Sequence, residues 1–252
     1  MTNRIGKQIL YGSFFVTFIL GIGLLIYALF LTPKPSCSDG IKNGREIGID
    51  CGGKCLPCEV KALDLTIADK KIIPVSAIDK TTFLVRVVNP SVDYWVKSFS
   101  YSLKVYNTFD VLIRDYRGTS TVPPGGERLI VYPAEDFDPI EVKKIDFEVL
   151  DKQWGSIDEY VDPGIKIYNV TTAMQGKRIV TSGFVRNTSA NLIPILKINA
   201  AYKNEKGNLV NVSSTVVDEL SGYATRSFQI ILLPGKENIV FDKTDITTEI
   251  QK

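Results

Sequence analysis

The chain has 252 residues, 30 of them basic, 28 acidic and none histidine, with 44% apolar content, four cysteines and a net charge of +2. A charged fraction of 23% with 10% aromatics fits a folded chain of one or two domains and excludes a disordered or collagen-like one. The missing histidine excludes Ser-His-Asp and Cys-His catalytic sets, His-bearing zinc sites and a histidine pH switch.

Residues 1–8 form a short basic tail, and residues 9–31 a transmembrane helix. From Ile9 to Leu31 no residue is charged, and at about 1.5 Å per residue the run reaches about 35 Å, enough for a hydrocarbon core of about 30 Å. A buried core helix would not be apolar on every face. Leu29, Phe30, Leu31 and Thr32 lack the small-x-small pattern of a cleaved leader, so an uncleaved signal-anchor is expected. Lys34, Pro35 and Ser36 do not form the apolar box of a lipidation site at Cys37. Arg4 and Lys7 on one side face Lys34, Lys42 and Arg45 on the other, so counting cations does not orient the span. The free amino group and the absence of acids beside Arg4 and Lys7 favour a cytoplasmic N-terminus, with the C-terminal domains extracytoplasmic. Without Arg4 and Lys7, 30 − 2 = 28 basic residues balance the 28 acidic ones. A neutral folded part has no basic excess for nucleic acid.

Residues 32–59 hold every cysteine: Cys37, Cys51, Cys55 and Cys58. Outside a membrane such clustering implies two disulfides restraining a segment too small to bury a core. Three pairings are open. Cys37 with Cys55 and Cys51 with Cys58 is favoured, because a bridge across only two intervening residues is geometrically demanding. The C-x3-C-x2-C of Cys51, Cys55 and Cys58 has the spacing of radical S-adenosylmethionine cluster ligands, but those enzymes are cytosolic and alternate strands with helices. Four thiolates in the order C-x13-C-x3-C-x2-C also lack the paired C-x2-C spacing of zinc ribbons. Counting Asp39 as position 1 of a twelve-residue calcium loop puts Asn43 at 5, Gly44 at 6 and Asp50 at 12. Ile41 at position 3 and the lack of flanking helices speak for the alternative, a turn-rich disulfide knot. The whole segment resembles a cysteine motif of microbial cell-surface proteins, CxDGIxNxxETGxDCGGxCxPC, in Asp39-Gly40-Ile41, Asn43, Glu46, Gly48 and Asp50-Cys51-Gly52-Gly53, with Ile47 where Thr is usual. The resemblance implies an extracytoplasmic setting and no activity.

Residues 60–150 and 165–252 read as strands. Phe99, Tyr101, Leu103 and Val105 alternate with Ser98, Ser100, Ser102 and Lys104, and Ile145, Phe147 and Val149 alternate with Lys144, Asp146 and Glu148. The series repeats: Asn89 matches Asn187 at an offset of 98, Tyr106 matches Tyr202 at 96, and Gly125 matches Gly222 at 97. A duplicated unit of about seven short strands suits an immunoglobulin-like sandwich, with a polar linker at 151–164. The expected fold class is therefore all-β, two tandem immunoglobulin-like sandwiches after one transmembrane helix and a cysteine-rich segment. The second unit resembles the FxLYD type of extracytoplasmic β-sandwich in Val185, Asn187, Ser189, Val210, Leu220, Gly222 and Phe228, with Ala201-Tyr202 at the name-giving aromatic and Lys203 replacing the usual Asp. The first unit is nearer the general LEA-like sandwich. The family implies a fold and a compartment, and no catalytic residues.

Asn169, Asn187 and Asn211 stand in N-x-Ser/Thr sequons, acceptors in an organism that glycosylates. The function expected is a single-pass, non-catalytic surface protein that is bound to the bilayer through residues 9–31. It would present its domains to a surface protein or glycan, with no cofactor apart from the calcium reading. A pilin-like or envelope-assembly subunit is the alternative, although the helix lacks an early Glu. A carboxylate-dependent hydrolase would rest on Asp136 with Asp138, or Asp218 with Glu219, and acid pairs on sandwich loops are usually solvated.

Overall fold

The computed structural model describes residues 2–31, 35–75, 78–233 and 238–251. Thr32 and Lys34, used above for the leader and the orientation, lie outside them. The chain divides into two compact units, residues 1–58 and 59–252.

In the first unit α1 (Thr2–Ile26) continues into a π-helical turn at Tyr27–Leu31. Its stretch Gly6–Leu29 is long and apolar enough to cross a membrane, and none of it is buried inside the chain, so it is not a core helix. Its two aliphatic hydroxyls in that stretch are satisfied locally: Ser13 Oγ donates to the Leu10 carbonyl and Thr17 Oγ1 to that of Ser13, as polar groups in hydrocarbon require. The cysteine segment follows, and α2 (Cys58–Lys61) closes it.

The second unit consists of two six-stranded sandwiches. The first contains β1 (Thr66–Val75), β2 (Lys80–Val88), β3 (Tyr94–Asn107), β4 (Leu112–Val122), β5 (Glu127–Glu135) and β6 (Val142–Ser156). The second contains β7 (Ile165–Gln175), β8 (Arg178–Asn187), β9 (Ile193–Lys203), β10 (Leu209–Leu220), β11 (Thr225–Leu232) and β12 (Val240–Gln251). The sheets run β1-β2-β5 and β4-β3-β6, then β7-β8-β11 and β10-β9-β12, so the topology is repeated strand for strand. All pairs are antiparallel. The all-β tandem architecture is the one expected, with six strands per sandwich among the described residues rather than seven.

Period-two alternation builds each core. Phe83, Val85, Val87, Phe99, Leu103 and Val105 are buried in the first sandwich. Its filling is aromatic: Phe83 meets Tyr116 and Phe137, and Tyr116 lies 4.2 Å from Tyr132 between ring centroids. Val185, Leu196, Ile198, Tyr202, Phe228 and Ile230 fill the second.

Two expectations are corrected by the strand pairing. The linker is shorter than 151–164, because β6 carries on through Gln153, Trp154 and Gly155, which pair with Ser98, Val96 and Trp95 of β3. Trp154 is buried, and Gly155 is there because a Cβ would come within 2.5 Å of the Trp95 indole nitrogen. Tyr106 is also not the counterpart of Tyr202. Tyr202 is wholly buried with its hydroxyl on Thr181, whereas Tyr106 faces outward with the Lys144 ammonium 4.8 Å above its ring.

The duplication itself is exact in its polar hubs. Asn89 and Asn187 are both buried; the amide of Asn89 donates to the carbonyls of Tyr94 and Pro123, and that of Asn187 to those of Asn191, Leu220 and Ser221. Their side-chain oxygens accept from the backbone N–H of Ser91 and Ser189 respectively. Asn89 N–H meets the Gly126 carbonyl and Asn187 N–H that of Ala224, while Gly125 N–H meets Ser91 and Tyr223 N–H meets Ser189. The counterpart of Gly125 is therefore Tyr223 rather than Gly222, and both adopt the left-handed conformation, at φ 57° and 59°. One offset of 98 serves the whole turn.

Candidate functional site

The cysteine segment is held by Cys37–Cys55 and Cys51–Cys58 disulfides. Its carboxylates are engaged by its own backbone. Asp39 accepts from the amide nitrogen of Asn43 at 2.8 Å and from the backbone of Ile41 and Ser36, and these bonds hold its carboxyl below the ordinary carboxylate range. Asp50 accepts from Gly40 N–H, and Glu46 from the N–H groups of Asn43 and Asp50. Asp39, Asn43 and Asp50 are thus drawn together as turn-forming acceptors and donors. Asn43 donates its side-chain nitrogen to Asp39, and its buried side-chain oxygen has no hydrogen-bond partner among the described residues. Cys37, Glu46 and Cys55 also cluster, but both sulfurs are spent in one disulfide.

The three sequons part company. Asn169 is exposed, at a bulge of β7 with φ 52°. Asn187 and Asn211 are 0% and 1% exposed, so in the folded chain they are corrected from acceptors to structural residues. Asp136, Asp138, Asp218 and Glu219 are all exposed on the surface. Asp138 caps its own turn by accepting from Ile140 N–H.

The feature that sequence reading missed is the junction between the sandwiches. Ile73, Leu84, Leu129 and Val131 from the outer face of β1-β2-β5 form one buried cluster with Ala201 and Val212 from the outer face of β10-β9-β12. Around it, cations of each sandwich donate to carbonyls of the other. Arg128 of β5 donates to Thr248 of β12 at 2.6 Å and holds Thr121 of β4 as well. Lys197 of β9 donates to Val131 of β5 at 2.7 Å, and Lys71 of β1 to Leu209 of β10 at 2.5 Å. Ser120 of β4 donates to the Glu249 carboxylate. Burial pushes the pKa of Arg128 and Lys197 down, and Glu249 opposes the shift in both. A signal for this junction exists in the sequence: unbroken apolar runs such as Phe83-Leu84-Val85 and Leu129-Ile130-Val131 cover both faces of a strand, which a solvated sheet does not do.

Beside this junction opens a cleft of about 620 Å³ with Leu129, Ala201 and Ile246 in its lining. Its charges are paired: Asp69 with Lys71, Arg86 with Glu127, and Lys203 with Asp245. Thr247 reaches the cleft, and its hydroxyl and the side-chain oxygen of its cross-strand neighbour Asn199 have no hydrogen-bond partner among the described residues. Such a lining offers exchangeable polar contacts, with neither an aligned nucleophile and base nor a phosphate cradle.

At the far end of the first sandwich, the turn between β3 and β4 and the loop between β5 and β6 are tied by Thr108 N–H donating to the Glu141 carbonyl. These two loops carry Phe109 and Ile140, 84% and 83% exposed.

No protein-family model matches the chain, and no curated protein is similar to it. Among solved structures it is similar to red sea bream transglutaminase, at 12% identity and a TM-score of 0.25, over 76% of this chain and 32% of that one. A likeness of that size assigns neither a family nor an activity.

Proposed function

We propose that this chain is a membrane-anchored, extracytoplasmic, non-catalytic interaction protein, in which two fused sandwiches present the Phe109–Ile140 tip to a macromolecular partner. The tip carries the reading. Two large apolar side chains held almost wholly in water on hydrogen-bonded loops carry an unfavourable hydration that burial against a partner would relieve. The apolar helix supports an anchor, and the two disulfides support an oxidising compartment. The resemblances to a cell-surface cysteine motif and to FxLYD sandwiches point the same way.

Two measurements test it. Protease added to intact cells making the chain should degrade residues 59–252; protection until lysis would refute the topology. A photo-crosslinker placed beside Phe109 should capture a discrete partner, and F109S/I140S should abolish capture without lowering the melting temperature. Capture that survives the double change would refute the tip.

A further inference from the structure

Four three-stranded sheets have eight edge strands, and an exposed edge is a template for another strand unless charge, proline or covering blocks it. Most edges here are blocked. β1 carries Asp69, Lys70, Lys71 and Pro74, and β4, β5, β6 and β12 carry charges along their length. β10 is covered by the first sandwich through Val212 and Leu209, and β11 lies beside β10, where Ser213 donates to the Ile231 carbonyl.

β7 is the exception. From Ile167 to Gln175 it has no charge and no proline, and all but two of those residues, Ile167 and Thr172, are exposed. β12 runs beside it, where Thr172 bonds Thr244, and still leaves those residues exposed. The duplication supplies an internal control: β1 is its counterpart, both strands carry a bulge, at Ile67–Asp69 and at Tyr168–Thr171, and β1 adds Asp69, Lys70, Lys71 and Pro74, which β7 lacks. Next to the edge, the outer face of the same sheet is mixed: Tyr168 stacks on Phe184 at 5.7 Å, Ala173 and Ile231 flank Val180, and Thr171 bonds Ser182 between them.

We propose that β7 pairs antiparallel with β7 of a second copy of this chain, joining two β7-β8-β11 sheets into one of six strands. The occupant follows from charge. Any strand is geometrically self-complementary about a two-fold axis, but a charged edge opposes its own charges there; β10 is uncharged from Leu209 to Val217 but covered, and β7 joins an uncharged stretch of nine residues to an exposed edge. That stretch is about 30 Å long at roughly 3.3 Å per residue. Centred near Thr171, the pairing sets Lys166 of each copy beside Lys177 of the other at the two ends, so association tightens as salt rises. Anchoring in one bilayer would raise the local concentration further. The inference rests on the sandwich edges alone and holds whichever side of a membrane they occupy.

The test uses the full chain in detergent micelles, made in a bacterial host so that Asn169 is bare. Sedimentation should show a concentration-dependent dimer that strengthens with ionic strength. V170K/A173K should weaken it at least about tenfold, by placing like charges across the axis, with unchanged far-UV circular dichroism. Single V170C, T171C and T172C variants give one free thiol each, because the native cysteines are all bridged; one of the three, the residue nearest the axis, should form a disulfide-linked dimer. A monomer at every concentration with no crosslink overturns the proposal, and so does a dimer that V170K/A173K leaves intact, which would place the contact elsewhere.

Discussion

Replacing Asn187 by Ala tests whether the sandwiches are one cooperative body. The side chain donates to three carbonyls and accepts from the N–H and the hydroxyl of Ser189, all at a site 0% exposed. Truncation removes these bonds and leaves the Leu220 carbonyl stranded in the core, a loss of roughly 3–5 kcal/mol. With a denaturant slope of about 3 kcal/mol per molar urea, the midpoint falls by roughly 1–1.7 M. The readout is what discriminates. Both tryptophans, Trp95 and Trp154, lie in the first sandwich, on β3 and β6. Independent domains would leave their fluorescence transition where it was while the circular dichroism shifts. The junction predicts otherwise: six buried apolar side chains and three cation-to-carbonyl bonds cross it, and the five larger of those side chains, at about 1.5–3 kcal/mol each, together exceed the loss imposed. Tryptophan fluorescence of the full chain in micelles should therefore move with the dichroism. A tryptophan midpoint unchanged by N187A would refute a fused pair.

Other outcomes follow from single sites. Gly118→Ala should cost about 1–3 kcal/mol in urea melts, since a Cβ would stand 2.5 Å from the Tyr101 hydroxyl, which bonds Tyr132 across the core. Made in a glycosylating secretory host, the folded protein should carry glycan at Asn169 alone; peptide mapping that finds it on Asn187 or Asn211 would contradict their burial. Asp39, with its pKa depressed by Asn43, Ile41 and Ser36, lends order that is complete above the ordinary value of 3.8 and lost as pH falls through the lower folded-state value. The amide proton signals of Ile41 and Ser36 should therefore stay fixed at neutral pH and move only below 3.8, and in Asp39→Asn that acid transition should vanish.

What could be read in the sequence and what could not divide along the two faces of each strand. Inner faces were legible because period two is enforced by the core: Phe99, Tyr101, Leu103 and Val105 are all buried as the alternation demands. Positions bound by backbone geometry were legible as well, since Asn89 and Asn187 recur at the same place in the same turn. The linker was misread because Asp151, Lys152 and Gln153 have the polarity of a loop, yet they pair with Ser100, Phe99 and Ser98 as part of β6, which runs on to the buried Trp154. Sequons carry no information on burial, so Asn187 and Asn211 gave no warning of it.

The outer faces are where the copies diverged, and function would be written there. The junction joins unlike sheets, β1-β2-β5 of one sandwich to β10-β9-β12 of the other, so repetition alone would leave a matching face open at each end for further copies to stack. The first sandwich closes its open end with charge: on β4-β3-β6, Ser102 bonds Asp115, Asp115 bonds Arg117 and Lys104 bonds Glu148. The second leaves β7-β8-β11 with Tyr168, Phe184 and Ile231 in water. That face also carries Lys166, Arg186, Ser182 and Gln229, so it differs from β4-β3-β6 in its side chains rather than by being wholly apolar, and repetition has not preserved a matched pair of faces for head-to-tail growth. What the second sandwich adds is the uncharged edge of β7, and substitutions there should change association while those on the outer face of β4-β3-β6 should not.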